Sequence, residues 1–362
     1  MEELNRSKTA IVLSGGGGRG AYEAGILLYI RDRLDKRLGY NTPIDIVTGT
    51  SVGAINAAFI AATMNDPAQQ GYDLCQTWRS LEVENLMSLH ARDFVRALRH
   101  LLGGRPPRNL QTVVRYGGLI DSSGLEHFVA RCIPWRNIRH NLKVGVLQSL
   151  AVSTTKVRDG HSVVFLDEGV AKQRSWSRRP YTEVRQTRIS PRHVLASASI
   201  PLLFASVRIG QDFYTDGGLR QNTPLSPALR LGADRILVVS LRHEESLRPL
   251  APARETVLPR PLFLLGKMLN ALLLDHTEYD LEQLERTNAL IEAGTEAFGE
   301  EFQTILNQKL GRNPSNPMRS IKQVHIRPSV DLGAMASDYV KSGRVKLKSK
   351  MAQWLLGKLS SG

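Results

Sequence analysis

The sequence predicts an α/β protein: three layers, α/β/α, around a mainly parallel central sheet, followed by a helical C-terminal extension. Three observations carry this. Short apolar runs of strand length alternate with longer stretches of helical spacing. Glycine-rich turns join strand to helix twice near the N-terminus, at Ser14–Gly20 and at Gly49–Gly53. The chain has 362 residues, 42% of them hydrophobic, which is enough to bury one large core.

The elements follow in order. Thr9–Leu13 (T-A-I-V-L) reads as a short buried strand. After the first glycine turn, Ala21–Leu38 reads as a helix, with Tyr22, Ile26, Tyr29, Ile30 and Leu34 near helical spacing. The apolar run Ile44–Val47 opens a second strand, and the Ala-rich stretch from Ala54 to about Met64 the helix behind it. Residues 65–142 read as mostly helical, broken at Arg105-Pro106-Pro107. Leu142–Leu150, Val163–Leu166 and Arg235–Ser240 read as strands. Residues 245–260, rich in Pro and Arg, read as a linker, and Leu262–Glu296 as one or two helices. Ile321–Ile326 returns a strand to the core, and Tyr339–Leu359 reads as a terminal helix. This divides the chain into a core, residues 1–242, and an extension, residues 243–362, packed on it.

Gly49-Thr50-Ser51-Val52-Gly53 states a chemistry. A serine between two glycines, between a strand and a helix, is the layout of a nucleophile elbow. The turn is tight, so side chains at the flanking positions would strike neighbouring backbone. Ser14-Gly15-Gly16-Gly17-Gly18-Arg19-Gly20 is a second signal. Glycines between a strand and a helix bring bare N–H groups to a ligand, and the helix start favours an anion. Gly15, Gly17 and Gly20 do spell the dinucleotide pattern G-x-G-x-x-G. That reading wants an acidic residue closing the second strand, where this sequence has Thr48-Gly49-Thr50-Ser51. The other anion is the oxyanion of acyl transfer, whose charge such donors stabilise. A third signal is Asp216-Gly217-Gly218. A serine hydroxyl must lose its proton to attack a carbonyl, and a carboxylate within reach can take it.

Together these three motifs resemble the patatin-like phospholipase family. Ser14–Gly20 is similar to its glycine motif G-G-G-x-[KR]-G, Gly49–Gly53 to its G-x-S-x-G elbow, and Asp216–Gly218 to its D-G-[GA] motif. Ala196-Ser197-Ala198-Ser199-Ile200-Pro201 resembles the small-residue segment preceding the family's aspartate, and Asn222 and Pro224 resemble residues after it. The resemblance spans about Lys8 to Leu241. It implies a serine acyl hydrolase acting on phospholipid or another acyl ester, of phospholipase A or lysophospholipase type, without cofactor or metal. Ser51 would be the nucleophile and Asp216 its base. Gly16, Gly17 and Gly18 would hold the oxyanion, with Arg19 supporting that loop.

Two other readings are consistent with the chain. A Ser-Asp-His triad on an α/β-hydrolase fold is permitted by the order Ser51, Asp216, then His243, His276 or His325. Against it, the elbow follows the second strand and the glycine loop lacks a preceding His. A non-enzymatic lipid-binding or scaffold role is the other, although a retired site has no chemical need for both Ser51 and Asp216.

Charge bears on where the protein works. Net charge is +14, from 48 basic and 34 acidic residues. Lys172–Arg192 holds seven basic residues and one acidic; Lys341–Gly362 holds six basic and none acidic, with Val345, Leu347, Met351, Trp354, Leu355 and Leu356 interleaved. A basic segment with Trp and leucines suits the surface of an anionic membrane, or a helix packing its leucines on the core. Nothing resembles a nucleic-acid module, so no nucleic acid is expected. Pro261–Leu274, the most apolar stretch, fits a core helix, an oligomer face or a flap over an acyl pocket. It is too short to span a bilayer. The polar Met1–Lys8 and the strand-length run after it do not read as a signal peptide. Cys75 and Cys132 give no disulfide framework. The expected location is cytoplasmic, with peripheral contact at the membrane.

Overall fold

The computed structural model describes residues 7–82, 86, 115–118, 120–169, 181–243, 276–312 and 317–342. Its strands form one ten-stranded sheet among the described residues. β1 (Thr9–Leu13) lies between β2 (Ile46–Thr50) and β9 (Arg235–Val239), parallel to both. β10 (Lys322–Ile326) adds to β9 in parallel and forms an edge of the sheet. On the other side β4 (Ser149–Lys156) runs parallel to β2. β5 (Ser162–Glu168) pairs antiparallel with β4, and β6 (Thr182–Gln186) parallel with β5. The antiparallel hairpin of β7 (Ser206–Ile209) and β8 (Asp212–Asp216) completes the sheet, with β3 (Arg115–Tyr116) on β7.

Alternation along each strand builds two apolar layers. Ile11 and Leu13 of β1, with Val163 and Phe165 of β5, point into one cluster with Leu27, Phe59, Leu74, Ile138, Leu142 and Val194. Ala10, Val12, Val164 and Leu166 point into the other, with Leu225, Ala228, Leu281 and Leu284. The first layer is covered by α1 (Ala21–Tyr29), α3 (Val52–Ala62), α4 (Pro67–Arg79), α5 (Ser123–Cys132), α6 (Trp135–Val144) and α7 (Pro191–Ser197). The second is covered by α8 (Leu225–Arg230) and α9 (His276–Phe298). Beyond these lie α10 (Glu301–Lys309) and α11 (Leu332–Lys341). The fold is thus the three-layer α/β/α arrangement with a mostly parallel sheet that the sequence predicts.

Most predicted elements recur within a few residues. The helix predicted over Ala21–Leu38 passes from α1 through a π-turn, Ile30–Leu34, into α2 (Asp35–Leu38), which Gly39 ends in the left-handed conformation. The predicted strand over Leu142–Leu150 is corrected. Leu142 belongs to α6, where Ile138, Asn141 and Leu142 form the buried stripe. Gly145, at φ 83°, caps that helix, and β4 begins only at Ser149. In the basic stretch Lys172–Arg192, Arg185 is tied into the sheet. It bonds Glu183 at 2.7 Å and lies over the Tyr214 ring. Arg105–Pro107, the linker 245–260, Pro261–Leu274 and all but the first two residues of Lys341–Gly362 lie outside the described residues.

Candidate active site

β4 acts as the ruler of the site. One of its edges is taken by β5 from Ser149 to Thr155. The other edge is shared: β2 pairs up to Thr50 opposite Ser153, and β8 then takes over with Asp216 opposite Thr154. β2 runs parallel to β4 and β8 antiparallel, so their C-terminal ends face each other. Ser51 follows the last residue of β2, and Asp216 is the last residue of β8.

Ser51 has φ 56° and ψ −126°, a positive-φ backbone that residues with a side chain rarely adopt. Both elbow glycines are sterically required. A Cβ on Gly49 would lie 2.3 Å from the Gly53 carbonyl oxygen, and one on Gly53 2.5 Å from the Leu13 carbonyl oxygen. The turn is anchored on both sides. The Ser51 N–H donates to Ser197 Oγ at 2.9 Å, and its carbonyl accepts from Ala54 N at 2.9 Å. Behind it α3 is buried on every side, as its Ala-rich sequence allows.

Asp216 is fully buried. Burial pushes its carboxyl up to about 6, opposed by hydrogen bonding from the Ser51 side chain and the Gly218 N–H. The Gly218 N–H reaches Oδ1 at 2.7 Å, while Oδ2 has no partner of ordinary hydrogen-bond geometry. The Ser51 contact is therefore close enough to be felt by the carboxyl but is not an aligned hydrogen bond. Such contacts commonly tighten when substrate binds. Gly217 lets the chain turn here: a Cβ would sit 2.3 Å from the Ser153 carbonyl oxygen.

The glycine loop closes the third side. Gly15 packs on the nucleophile, its would-be Cβ only 3.1 Å from Ser51 Cβ. Gly17–Gly20 forms one 3-10 turn. The N–H groups of Gly16, Gly17 and Gly18 stand at its start, where a helix leaves donors without intrahelical acceptors. Gly17 has φ 59°, and the space beside Gly17 and Gly18 is open. Gly20 is packed beneath Val52 and Trp78. Arg19 donates its N–H to the Gly16 carbonyl at 3.3 Å, and its guanidinium lies against Gly333 at the start of α11. The loop is fixed to the segment after Asp216. Gly15 N–H donates to the Asn222 carbonyl, Asn222 Nδ2 returns to the Gly15 carbonyl, and Ser14 Oγ lies 2.7 Å from Thr223 Oγ1.

A Patatin-like phospholipase family model matches residues 11–229 of the sequence. This chain belongs to that family of lipid acyl hydrolases. Each of the three motifs of the patatin-like chain lies within the matched span. No match is found among curated proteins. Among solved structures, VipD from Legionella pneumophila aligns at 13% identity with a TM-score of 0.34, over 98% of this chain and 65% of VipD. The patatin-like chain thus spans less than two thirds of VipD's length.

Two histidines of the alternative triad, His325 and His243, have partners away from Ser51 and Asp216. His325 Nδ1 accepts from Arg327 Nε at 3.1 Å, so the ring proton sits on Nε2 and is donated to Ser240 Oγ at 2.8 Å. Burial holds its pKa down at about 4. His243 Nε2 bonds the Ser329 carbonyl at 3.0 Å. The His276 side chain is outside the described residues. Among the described residues no histidine is hydrogen-bonded to Ser51 or Asp216.

Sequence reasoning missed several residues that shape the site. Thr48 and Thr50 of β2 donate to the Pro224 and Gln221 carbonyls at 3.0 and 2.9 Å, stitching the nucleophile strand to the segment after Asp216. Their signal was present: threonines at alternate positions of a buried strand need acceptors. Glu23, inside a helix of ordinary pattern, lies buried behind the glycine loop, and Asn56 of α3 donates to its Oε2 at 2.7 Å.

Proposed function

We propose that the protein hydrolyses lipid acyl esters through a Ser51–Asp216 dyad, as a phospholipase A or lysophospholipase. The carrying observation is the strained Ser51 set beside a fully buried carboxylate whose pKa is raised towards neutrality. The raised pKa makes Asp216 a better proton acceptor near pH 7 than an exposed aspartate, while it is still ionised there.

Ser51 Oγ attacks the ester carbonyl and its proton passes to Asp216. The carbonyl oxygen becomes an oxyanion, held by N–H groups of Gly16, Gly17 and Gly18, with Arg19 bracing their loop. The intermediate collapses as the C–O bond to the alcohol breaks, and Asp216 returns the proton to the leaving alkoxide. Water then attacks the acyl-serine, Asp216 takes its proton, and Ser51 leaves re-protonated with release of the fatty acid. No metal or cofactor enters this balance.

The same proposal places the enzyme in the cytoplasm, at the surface of anionic membranes. Both cysteines are unpaired, which fits a reducing compartment, and the +14 charge favours an anionic surface. No helix among the described residues is long and apolar enough to cross a membrane.

The test is mass-spectrometric product analysis after incubation with defined phospholipids. Release of fatty acid and lysophospholipid in equal amounts, lost in Ser51→Ala, supports the reading. Cleavage of small soluble esters alone would reduce it to a carboxylesterase, and no ester cleavage would leave the scaffold role.

A further inference from the structure

We infer that Ser197 is a positioning residue for the nucleophile, and that the turn Ser197–Ser199 sets its spacing from the base. This rests on the dyad reading above. The segment Ala196-Ser197-Ala198-Ser199 ends α7 and lies buried against β4 and β8. It presents two polar groups, one to the nucleophile and one to the base. The Ser197 hydroxyl donates to the Ser153 carbonyl at 2.6 Å and accepts the Ser51 N–H at 2.9 Å. Its single proton is committed to Ser153, which leaves a lone pair for Ser51. Two residues on, the Ser199 carbonyl accepts the Asp216 N–H at 2.9 Å and the Thr215 hydroxyl at 2.6 Å. One short segment therefore grips the nucleophile by a side chain and the base by a backbone oxygen.

A positive-φ residue such as Ser51 persists only when its surroundings over-determine it. Its carbonyl is held by α3 and its predecessor by the β4 ladder, and Ser197 supplies the grip on its N–H. That grip also occupies the N–H of Ser51, which is therefore not free to serve as an oxyanion donor. Removing the hydroxyl leaves the Ser51 N–H without a partner and frees the elbow to relax. A displacement of about 1 Å costs a positioned group about 10²-fold in rate.

The two buried serines make the test asymmetric. Ser197 acts through its side chain. The Ser199 hydroxyl only bonds back to Leu195, and its carbonyl survives substitution. The variants are Ser197→Ala, Ser197→Cys, Ser197→Thr and Ser199→Ala, assayed on a soluble ester with thermal melts as the folding control. Ser197→Ala and the volume-keeping Ser197→Cys should lower kcat by about 10²-fold with KM within about twofold. Ser197→Thr, which keeps the hydroxyl, should recover most of it. Ser199→Ala should stay within about threefold, since its backbone contact is intact.

The pH profile separates positioning from general damage. The Ser51 side chain lowers the Asp216 pKa, and burial and the Gly218 N–H are the other influences on it. No charged side chain among the described residues acts on that carboxyl. If Ser51 swings away, that lowering is lost, so the acid limb of kcat/KM should move to higher pH in Ser197→Ala and Ser197→Cys. A loss of stability alone would leave the limb in place. A folded Ser197→Ala or Ser197→Cys that keeps kcat within about threefold overturns the inference, as does a loss of activity with an unmoved limb that Ser199→Ala shares. Ser51→Ala and Asp216→Asn run alongside. Activity in either of those defeats the dyad itself, whereas activity confined to the Ser197 variants defeats only this inference.

Discussion

Ser51, just past the end of β2, and Asp216, the last residue of β8, stand where two strands meet head-on along a single edge of β4. Thr50 pairs with Ser153 and Asp216 with the next residue, Thr154. The two side chains are far apart in sequence, yet their approach is fixed by one register step of a central strand. A slip of one residue in either ladder would turn Thr50 or Asp216 to the opposite face of the sheet and separate the pair.

The first prediction concerns the nucleophile. A fluorophosphonate probe should label Ser51 alone, and Ser51→Ala should lose both labelling and ester hydrolysis while melting near the parent temperature. Labelling that persists in that variant would move the nucleophile elsewhere.

The second concerns the base. Asp216→Asn should cost about 10³-fold or more in kcat, because an amide cannot accept the serine proton. His243→Ala, His276→Ala and His325→Ala should each keep most activity when folded. With the Asp216 pKa raised to about 6, activity should fall as pH drops through that value, as the carboxylate becomes protonated. An acid limb no higher than the ordinary aspartate value of 3.8 would count against a raised Asp216 as the titrating base.

The third concerns the glycine loop. Gly17 has φ 59° with open space around it, so an added methyl meets strain rather than a clash. Gly17→Ala should cost about 1 kcal/mol in stability from the left-handed backbone. It should damage kcat far more than KM, because the oxyanion contacts form mainly in the transition state. NAD or ATP should leave the melting temperature unchanged, whereas a true ligand would raise it by mass action.

Much of this was legible because the site is written in short, sterically forced motifs. Gly49 and Gly53 are required by backbone atoms within 2.5 Å of a would-be Cβ, so the pattern G-x-S-x-G carries its own geometry. What stayed hidden depends on contacts between distant segments. The hairpin β7–β8 that delivers Asp216 is short, and its charged ends blur the strand pattern. Leu142–Leu150 misled because L-K-V-G-V-L reads equally as alternation or as the capped end of an amphipathic helix. The roles of Ser197 and Asn222 follow from partners 146 and 207 residues away, which no local periodicity can report.

The fourth prediction concerns the C-terminal segment, where Lys346, Lys348 and Lys350 flank an apolar set around Trp354. If it holds the enzyme on anionic bilayers, liposome co-sedimentation should rise with anionic lipid and fall with salt, since attraction is screened over about 8 Å at physiological ionic strength. Replacing the three lysines with Gln should weaken sedimentation without changing hydrolysis of a soluble ester. Undiminished binding by that variant would assign the segment to packing or solvent.

The last concerns Glu23, which is buried behind the glycine loop among groups that hold it in place. Asn56 Nδ2 donates to its Oε2 at 2.7 Å and to the Gly20 carbonyl at 3.0 Å, while Trp78 Nε1 donates to Asn56 Oδ1 at 2.9 Å. Burial raises the carboxyl from 4.5 to about 8, against the hydrogen bonds from Asn56 and the Ser14 backbone. Between those two values the folded chain keeps a proton that the unfolded chain has released. Stability therefore declines as pH rises through the window, by up to about 1.4 kcal/mol per pH unit. His193 and His325, both held down at about 4, act in the opposite sense as pH rises through their ordinary value of 6.5. The parent and a Glu23 variant both carry these histidines, so the difference between the two isolates Glu23. Glu23→Gln keeps the acceptor for Asn56 and cannot ionise, so its melting temperature should exceed the parent's at pH 8 and the gap should close toward pH 4.5. Parallel melting curves across that range would mean that Glu23 is already ionised in the folded protein.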